Sequence, residues 1–282
     1  MTSTATPAAR PSGRRELWLR VASGVVLAPA ILAALVYGGW PFAGIWLAAG
    51  IIGFAEWMVM SRTEPREVLI ALGAATLAAL LLCQRGGAPA LACIAVLLLG
   101  AAACATVART GFGRVRALAG VLGAAAIASV PVALRDDPGI GLIGPAWMFA
   151  VVWSTDIAAY FAGRKIGGPK LMPRVSPNKT WSGAIGGLIG AVAAGSLVAV
   201  AADLDLPSAA SLPVVAGVSA LASVLSQAGD LVESGLKRRY GVKDSSKIIP
   251  GHGGVMDRLD GFFAVAVLAG LYLAVRGSGL IP

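Results

Sequence analysis

Residues 88–107 read APALACIAVLLLGAAACATV, a run without one charged side chain. A helix rises about 1.5 Å per residue, so such a run spans about 30 Å, the thickness of a bilayer's hydrocarbon core. Lipid offers backbone amides no partner, and the segment must therefore satisfy its own hydrogen bonds as a helix. Working outward, comparable runs occupy 68–84, 41–60 and 18–37 on one side, and 115–134, 140–163, 181–202, 208–227 and 255–275 on the other. They predict an all-α, polytopic integral membrane protein with about nine transmembrane helices. The run at 68–84 is short and the last begins among charged residues, which leaves eight and ten as neighbouring counts. Composition agrees, since 57% of the 282 residues are hydrophobic and 13% charged, against roughly 25% charged in a soluble domain.

A net charge of +9 raises nucleic acid as a partner, and the placement of the basic residues argues against it. With nine spans and a cytoplasmic N-terminus, 20 of the 23 Lys and Arg fall inside, and only Arg85, Arg135 and Arg276 fall outside. That asymmetry follows the positive-inside rule. It puts the loops near Arg66, Arg116, Lys170 and Lys243 on the cytoplasmic side and those near Arg135 and Asp205 on the other. The expected location is the plasma (inner) membrane, with a secondary attraction to anionic lipid at the cytoplasmic face. Residues 1–17 are expected to form a cytoplasmic N-terminal segment and 18–282 a single membrane domain. Arg14 and Arg15 before an apolar run resemble an export signal, but a small-residue cleavage site is lacking, so the first helix is expected to stay. Cys83, Cys93 and Cys104 are odd in number, lie in or at the ends of apolar runs, and read as small hydrophobes.

The domain divides by chemistry. Residues 18–134 are rich in Ala, Leu and Gly, whose small side chains permit close helix approach, so this part reads as a scaffold and a candidate homodimer surface. Glu56 beside Trp57 is its exception, either an interfacial carboxylate or a member of the site. Residues 135–282 carry the motifs, with two cytoplasmic loops, 164–180 and 237–254, dense in Gly, Pro, Lys, Arg and Ser.

Asp156 lies within the sixth run, where an uncompensated carboxylate costs about 2.5–3.5 kcal/mol at the bilayer centre. Helical spacing puts it on one face with Ala159, Tyr160 and Gly163, turned to a cavity or paired with Arg164. The next loop reads GRKIGG at 163–168 and RVSPNKT at 174–180. Its glycines let backbone N–H groups approach an anion, its Lys and Arg supply charge, and Ser176 and Thr180 supply hydroxyls just before a helix N-terminus. Walker spacing is absent, so it is no P-loop. If helical, the end of the eighth run aligns Gln227, Asp230, Glu233 or Ser234, and Lys237 in one polar stripe. Asp257 and Asp260 are three apart and share a face. Their oxygens suit a hard cation such as Mg²⁺, whereas His252, the single histidine, has no partner for a zinc site.

Ser234, Leu236, Lys237 and Arg238, then Lys243-Asp244, Ser246, Ile249-Pro250, His252-Gly253-Gly254-Val255 and Asp257-Arg258-Leu259-Asp260 resemble the phosphatidate cytidylyltransferase (CDP-diacylglycerol synthase) signature at each constrained position. The resemblance extends upstream through Trp153, Asp156, Ala159-Tyr160, Gly163-Arg164 and Ser176-Pro177-Asn178-Lys179-Thr180-Trp181, and more weakly to Glu56-Trp57. Ser182 departs from the acidic or amide residue that many relatives carry there. The resemblance implies an enzyme joining CTP and phosphatidic acid into CDP-diacylglycerol and pyrophosphate with divalent metal. On that reading Asp230 and Asp257 lead as metal ligands, helped by Asp260 and Asp156, with Mg²⁺ as the ion and a second metal left open. Lys179, Lys237, Arg238, Lys243 and Arg258 are expected to serve the triphosphate and lipid phosphate. Arg164, Ser176, Thr180, Asp244, His252, Gly253 and Gly254 are expected to hold phosphate oxygens or shape the loop.

Three other readings compete. A CDP-alcohol phosphatidyltransferase would need an Asp-rich pattern on one helix pair, which is missing. A transporter predicts polar groups at helix centres, whereas here they gather at cytoplasmic ends. A scaffold leaves the 251–254 turn without a purpose.

Overall fold

The computed structural model describes residues 13–202 and 212–277, with side chains from residue 22 onward. Most of the expected N-terminal segment, Asp203, Asp205, the first residues of the 208–227 run and residues 278–282 lie outside them. Among the described residues there are nine helices: α1 Gly13–Tyr37, α2 Gly39–Met60, α3 Arg66–Arg85, α4 Ala90–Val107, α5 Gly111–Asp136, α6 Ile143–Ile166, α7 Trp181–Ala201, α8 Leu212–Arg239 and α9 Met256–Gly277. Seven of them, α2 to α5 and α7 to α9, are long and apolar enough to cross a membrane. The protein is therefore all-α and polytopic, but the expected nine spans are not all matched by these criteria. In α1 the apolar part is only Ala22–Tyr37, and α6 carries Asp156, Arg164 and Lys165.

One feature differs from the expected string of helices and loops. The 164–180 loop contains an antiparallel hairpin, β1 Lys170–Met172 with β2 Ser176–Thr180, pairing Lys170 with Thr180 and Met172 with Ser176. The eighth helix continues beyond the apolar run that stops near Gln227 and reaches Arg239, so the stripe from Gln227 to Lys237 is helical; Leu231, Val232 and Leu236 continue its apolar positions and Lys237, Arg238 and Arg239 suit the negative end of its dipole.

The helices pack as two groups of side chains. In one, Trp46 of α2 stacks on Phe262 of α9 at 4.9 Å, and Phe149 of α6 lies 5.3 Å from Phe262. In the other, Phe54 and Met58 of α2 meet Leu77 and Leu80 of α3 and Val121 of α5. Between α6 and α7 glycine permits near contact of backbones, since a Cβ on Gly183 would stand 2.9 Å from the Ala159 carbonyl oxygen and one on Gly187 the same distance from that of Thr155. Helix α4 buries only Ala101 and Cys104, leaving Leu91 and Leu99 outward, the pattern of a helix solvated by lipid.

The three arginines assigned to the far side are all engaged. Arg85 holds Asp136 at 2.6 Å and Arg276 holds Asp137 at 2.9 Å. Arg135 donates to the Leu35 and Val36 carbonyls at the end of α1.

Candidate active site

The polar chemistry collects where α6, α8 and α9 meet β2. Thr180 ends β2 and caps α7, its hydroxyl accepting from the Gly183 N–H at 3.1 Å. It is buried and serves as a helix cap. Ser182, whose role the sequence left open, donates to the Gly167 carbonyl and sits 3.0 Å from the Thr180 hydroxyl. The pair fixes the turn after α6 against the start of α7.

That anchoring aims Lys179, the neighbour of Thr180, at α8, where its ammonium pairs with Asp230. Asp230 also accepts from the Ser234 hydroxyl one turn on, at 3.2 Å. Gly229, beside it, brings α8 against α9: a Cβ there would stand 2.7 Å from the Asp260 carbonyl oxygen. As a result Asp230 and Asp260 lie within electrostatic reach of each other and of Asp156 on α6, while Arg258 and Lys179 act on Asp156 from the opposite sign. Asp156 is exposed and accepts no hydrogen bond among the described residues. The alternative pairing with Arg164 is not formed, because Arg164 donates to the Tyr160 hydroxyl at 2.6 Å.

A second acidic group lies alongside and is built differently. Lys237 bridges Glu233, one turn back at 3.0 Å, and Asp257 at 2.7 Å. The other Asp257 oxygen accepts from the Ser245 N–H and hydroxyl and the Gly254 N–H, at 2.8, 2.9 and 2.8 Å. Expected as a leading metal ligand, Asp257 thus has both oxygens engaged by the protein, and it reaches back to fasten the loop that precedes its own helix.

Glu56 completes this network from the other half of the chain. Although it sits in α2 it is 3% exposed. It accepts from the Val255 and Met256 N–H groups at 3.0 and 2.7 Å and from the Ser246 and Ser245 hydroxyls at 2.6 and 3.1 Å. Negative charge on the unpaired amides at a helix start is stabilising, so Glu56 acts as a cap for α9 supplied from about 200 residues away. It is neither an interfacial anchor nor a ligand facing the open cluster.

The 249–254 turn explains its glycines. Ile249 and Gly253 exchange backbone hydrogen bonds across a tight reversal, with Gly251 and Gly253 at φ +75° and +85°. A Cβ on Gly253 would stand 2.7 Å from an Asp257 oxygen, and Gly254 abuts Glu56. His252 meets the Ser23 hydroxyl of α1 through Nδ1 at 2.6 Å.

A model described as the Cytidylyltransferase family matches residues 18–276. The chain belongs to that family. Among its relatives, the phosphatidate cytidylyltransferase of Brucella suis biovar 1 (strain 1330) is 44% identical over 272 residues, 95% of this chain and 97% of that protein. The phosphatidate cytidylyltransferase of Bacillus subtilis (strain 168) is 42% identical over 134 residues, 48% of each. That of Staphylococcus haemolyticus (strain JCSC1435) is 44% identical over 141 residues, 50% of this chain and 52% of that protein.

The remaining family-motif residues surround the cluster. Arg238, Lys243, Asp244 and Arg258 are exposed, and Ser176 is half-buried at the start of β2. Arg238 reaches the Val242 carbonyl only at 3.4 Å, leaving most of its donors for another partner.

Among the described residues, no three His, Cys, Asp or Glu side chains form a ready metal cage. The donor set nevertheless fits Mg²⁺, which keeps several waters and is commonly held by one or two carboxylates together with substrate phosphates. Asp156 offers both its oxygens, and Asp230 and Asp260 lie beside it with oxygens held by the Lys179 and Ser234 side chains and by the Gly261 N–H; the second group is fully engaged with a helix start and a loop.

Proposed function

We propose that the chain transfers the cytidylyl group of CTP to phosphatidic acid, giving CDP-diacylglycerol and pyrophosphate, at the cytoplasmic face of the plasma membrane. The observation that carries this reading is the open cluster of Asp156, Asp230 and Asp260 flanked by Lys179 and Arg258, in a chain of the cytidylyltransferase family. We extend the seven qualifying helices to nine spans by letting α1 and α6 cross as well. The count of basic residues supports that topology, since nine spans leave only Arg85, Arg135 and Arg276 on the far side against 20 Lys and Arg on the cytoplasmic side.

A phosphate oxygen of phosphatidic acid forms a bond to the α-phosphorus of CTP while the bond to the β-phosphate oxygen breaks, leaving pyrophosphate. Two anions must meet, so positioning and charge neutralisation carry the catalysis. Asp230 and Asp260, with Asp156 beside them, would hold Mg²⁺, which supplies Lewis-acid stabilisation to the phosphoryl oxygens. Lys179 is steered by its pairing with Asp230, and Arg258, Arg238 and Lys243 present exposed cations to the phosphates. No covalent enzyme intermediate is required, because the phosphate monoester is already ionised near neutral pH.

The test is purified protein in detergent with phosphatidic acid, labelled CTP and Mg²⁺. CDP-diacylglycerol should form only when both substrates are present, and chelation should abolish it. Pyrophosphate release from CTP without lipid would argue for a hydrolase. Cysteine labelling in intact cells should reach position 135 from outside and position 170 only after permeabilisation.

A further inference from the structure

Four polar side chains of α8, Ser219, Ser223, Gln227 and Asp230, recur at the helical period and share a face. Asp230 belongs to the open cluster, and the other three lead away from it into the apolar part of the bundle. Ser219 and Ser223 are fully buried. Each is met by a side chain of α6: the Trp147 N–H donates to the Ser219 hydroxyl at 2.9 Å, and the Thr155 hydroxyl meets that of Ser223 at 3.0 Å. Gln227 donates to the Ser223 hydroxyl at 3.3 Å and, across to α7, to the Ala184 carbonyl at 3.2 Å. One ladder of hydrogen bonds thus ties three helices together.

Helix stability alone does not call for this ladder. A hydroxyl in a membrane helix can satisfy itself on the carbonyl four residues back, as Thr76 of α3 and Ser129 of α5 do at 2.7 Å each. Thr155 makes that bond as well, to Val151 at 2.7 Å, and still reaches Ser223. The placement of the ladder gives it a purpose. Thr155 is the neighbour of Asp156, Gln227 stands one turn before Asp230, and Ala184 lies in the first turn of α7, whose cap follows Lys179. Asp156, Lys179 and Asp230 come from three different elements, and the ladder joins those elements next to all three.

We propose that Thr155 and Ser223 are positioning residues: their hydrogen bond, backed by that of Trp147 with Ser219, sets the register of α6 on α8 and thereby the spacing of Asp156 and Asp230 for Mg²⁺. This rests on the functional reading above. A near-octahedral ion with ligands at about 2.0–2.1 Å tolerates little displacement, so a slide of about 1 Å between the helices is enough to matter.

The test breaks the bond and reads metal affinity. Thr155→Val is nearly isosteric and loses the link to Ser223; Ser223→Ala removes the other partner. Each should raise the Mg²⁺ concentration for half-maximal turnover about three- to twentyfold, the range of one interhelical hydrogen bond in a bilayer, with the KM for phosphatidic acid unchanged. Mn²⁺ titrated into protein without substrates and followed by electron paramagnetic resonance should show the same weakening with no turnover involved. The double variant should bind no worse than the weaker single one, because both break one bond, and Thr155→Ser should restore the wild-type value. Ser226→Ala is the control: it lies on the same helix, is as deeply buried, and its hydroxyl has no partner among the described residues, so metal activation should stay as it was. Should Thr155→Val not purify, Trp147→Phe, which deletes one N–H from the second attachment, carries the same expectation at the lower end of the range. Lower melting temperatures with unchanged Mg²⁺ and Mn²⁺ affinities would make the ladder packing only and overturn the proposal. So would an equal loss of affinity in Ser226→Ala. If the wild type neither binds Mn²⁺ nor converts phosphatidic acid, it is the functional reading that fails, and the positioning role with it.

Discussion

Glu56 and Asp257 have every carboxylate oxygen engaged by backbone amides, serine hydroxyls or Lys237, whereas Asp156, within electrostatic reach of Asp230 and Asp260, accepts no hydrogen bond among the described residues. The two acidic groups are joined through α8 and α9, yet they solve opposite problems. The first is a frame: its charges are spent on helix starts and on a loop, and removing one leaves buried donors without partners. The second sets Asp156, which accepts no hydrogen bond among the described residues, beside the Lys179–Asp230 pair and the exposed Arg258, the arrangement that suits a metal and phosphate. A carboxylate in a membrane protein is therefore not by itself evidence of catalysis; what separates the two cases is whether its oxygens hold a helix start and a loop, as those of Glu56 and Asp257 do, or the side chains of Lys179 and Ser234, as those of Asp230 do.

The sharpest break of this comparison is Asp230→Asn against Asp257→Asn. Asp230→Asn should lower kcat by about 10²–10³, the scale of losing one preorganised charge at a reacting phosphate, with only a small drop in melting temperature in detergent, since its pair with Lys179 is partly exposed. Asp257→Asn should lose turnover as well but also fold less stably, by about 3–5 kcal/mol, the cost of breaking a buried ion pair. Equal melting temperatures for the two would erase the distinction between frame and open cluster.

Glu56→Ala should sit next in size. It strips the Val255 and Met256 amides and the Ser246 hydroxyl of their acceptor, while the Ser245 hydroxyl keeps Asp257, and each buried donor left unmatched costs about 1–3 kcal/mol, partly relieved by water. Thermal unfolding should show a loss of several degrees, and Glu56→Gln should recover about half of it. A variant that unfolds normally but binds Mg²⁺ poorly in titration calorimetry would move Glu56 into the open cluster instead.

The smallest effect belongs to the cap below Lys179. Thr180→Ala should cost about 1 kcal/mol in stability and raise the KM for CTP a few-fold as Lys179 loses its anchor, while Thr180→Ser should restore both. A Thr180→Ala enzyme with normal stability and much reduced turnover would return Thr180 to the phosphate-binding role that its position in the motif suggested.

The sequence by itself determined the helical membrane class and the catalytic region, because both are local. A bilayer demands long apolar runs that satisfy their own amides, and each run is visible without its neighbours. Asp156, Lys179, Asp230, Lys237, Asp257 and Asp260 were legible as candidates because charges beside apolar runs are costly. The polar stripe of α8 from Gln227 to Lys237 was readable as soon as helical period was assumed. What only the tertiary structure decided is which of these acids are free. Glu56 and Ser245 are 189 residues apart, and no pattern within α2 indicates that its carboxylate caps α9. Likewise Asp257 and Asp260 look equivalent on one helix face, until the 245–254 loop folds back onto the first and not the second. Hydrogen-bond saturation depends on groups brought from distant helices, and packing alone supplies them.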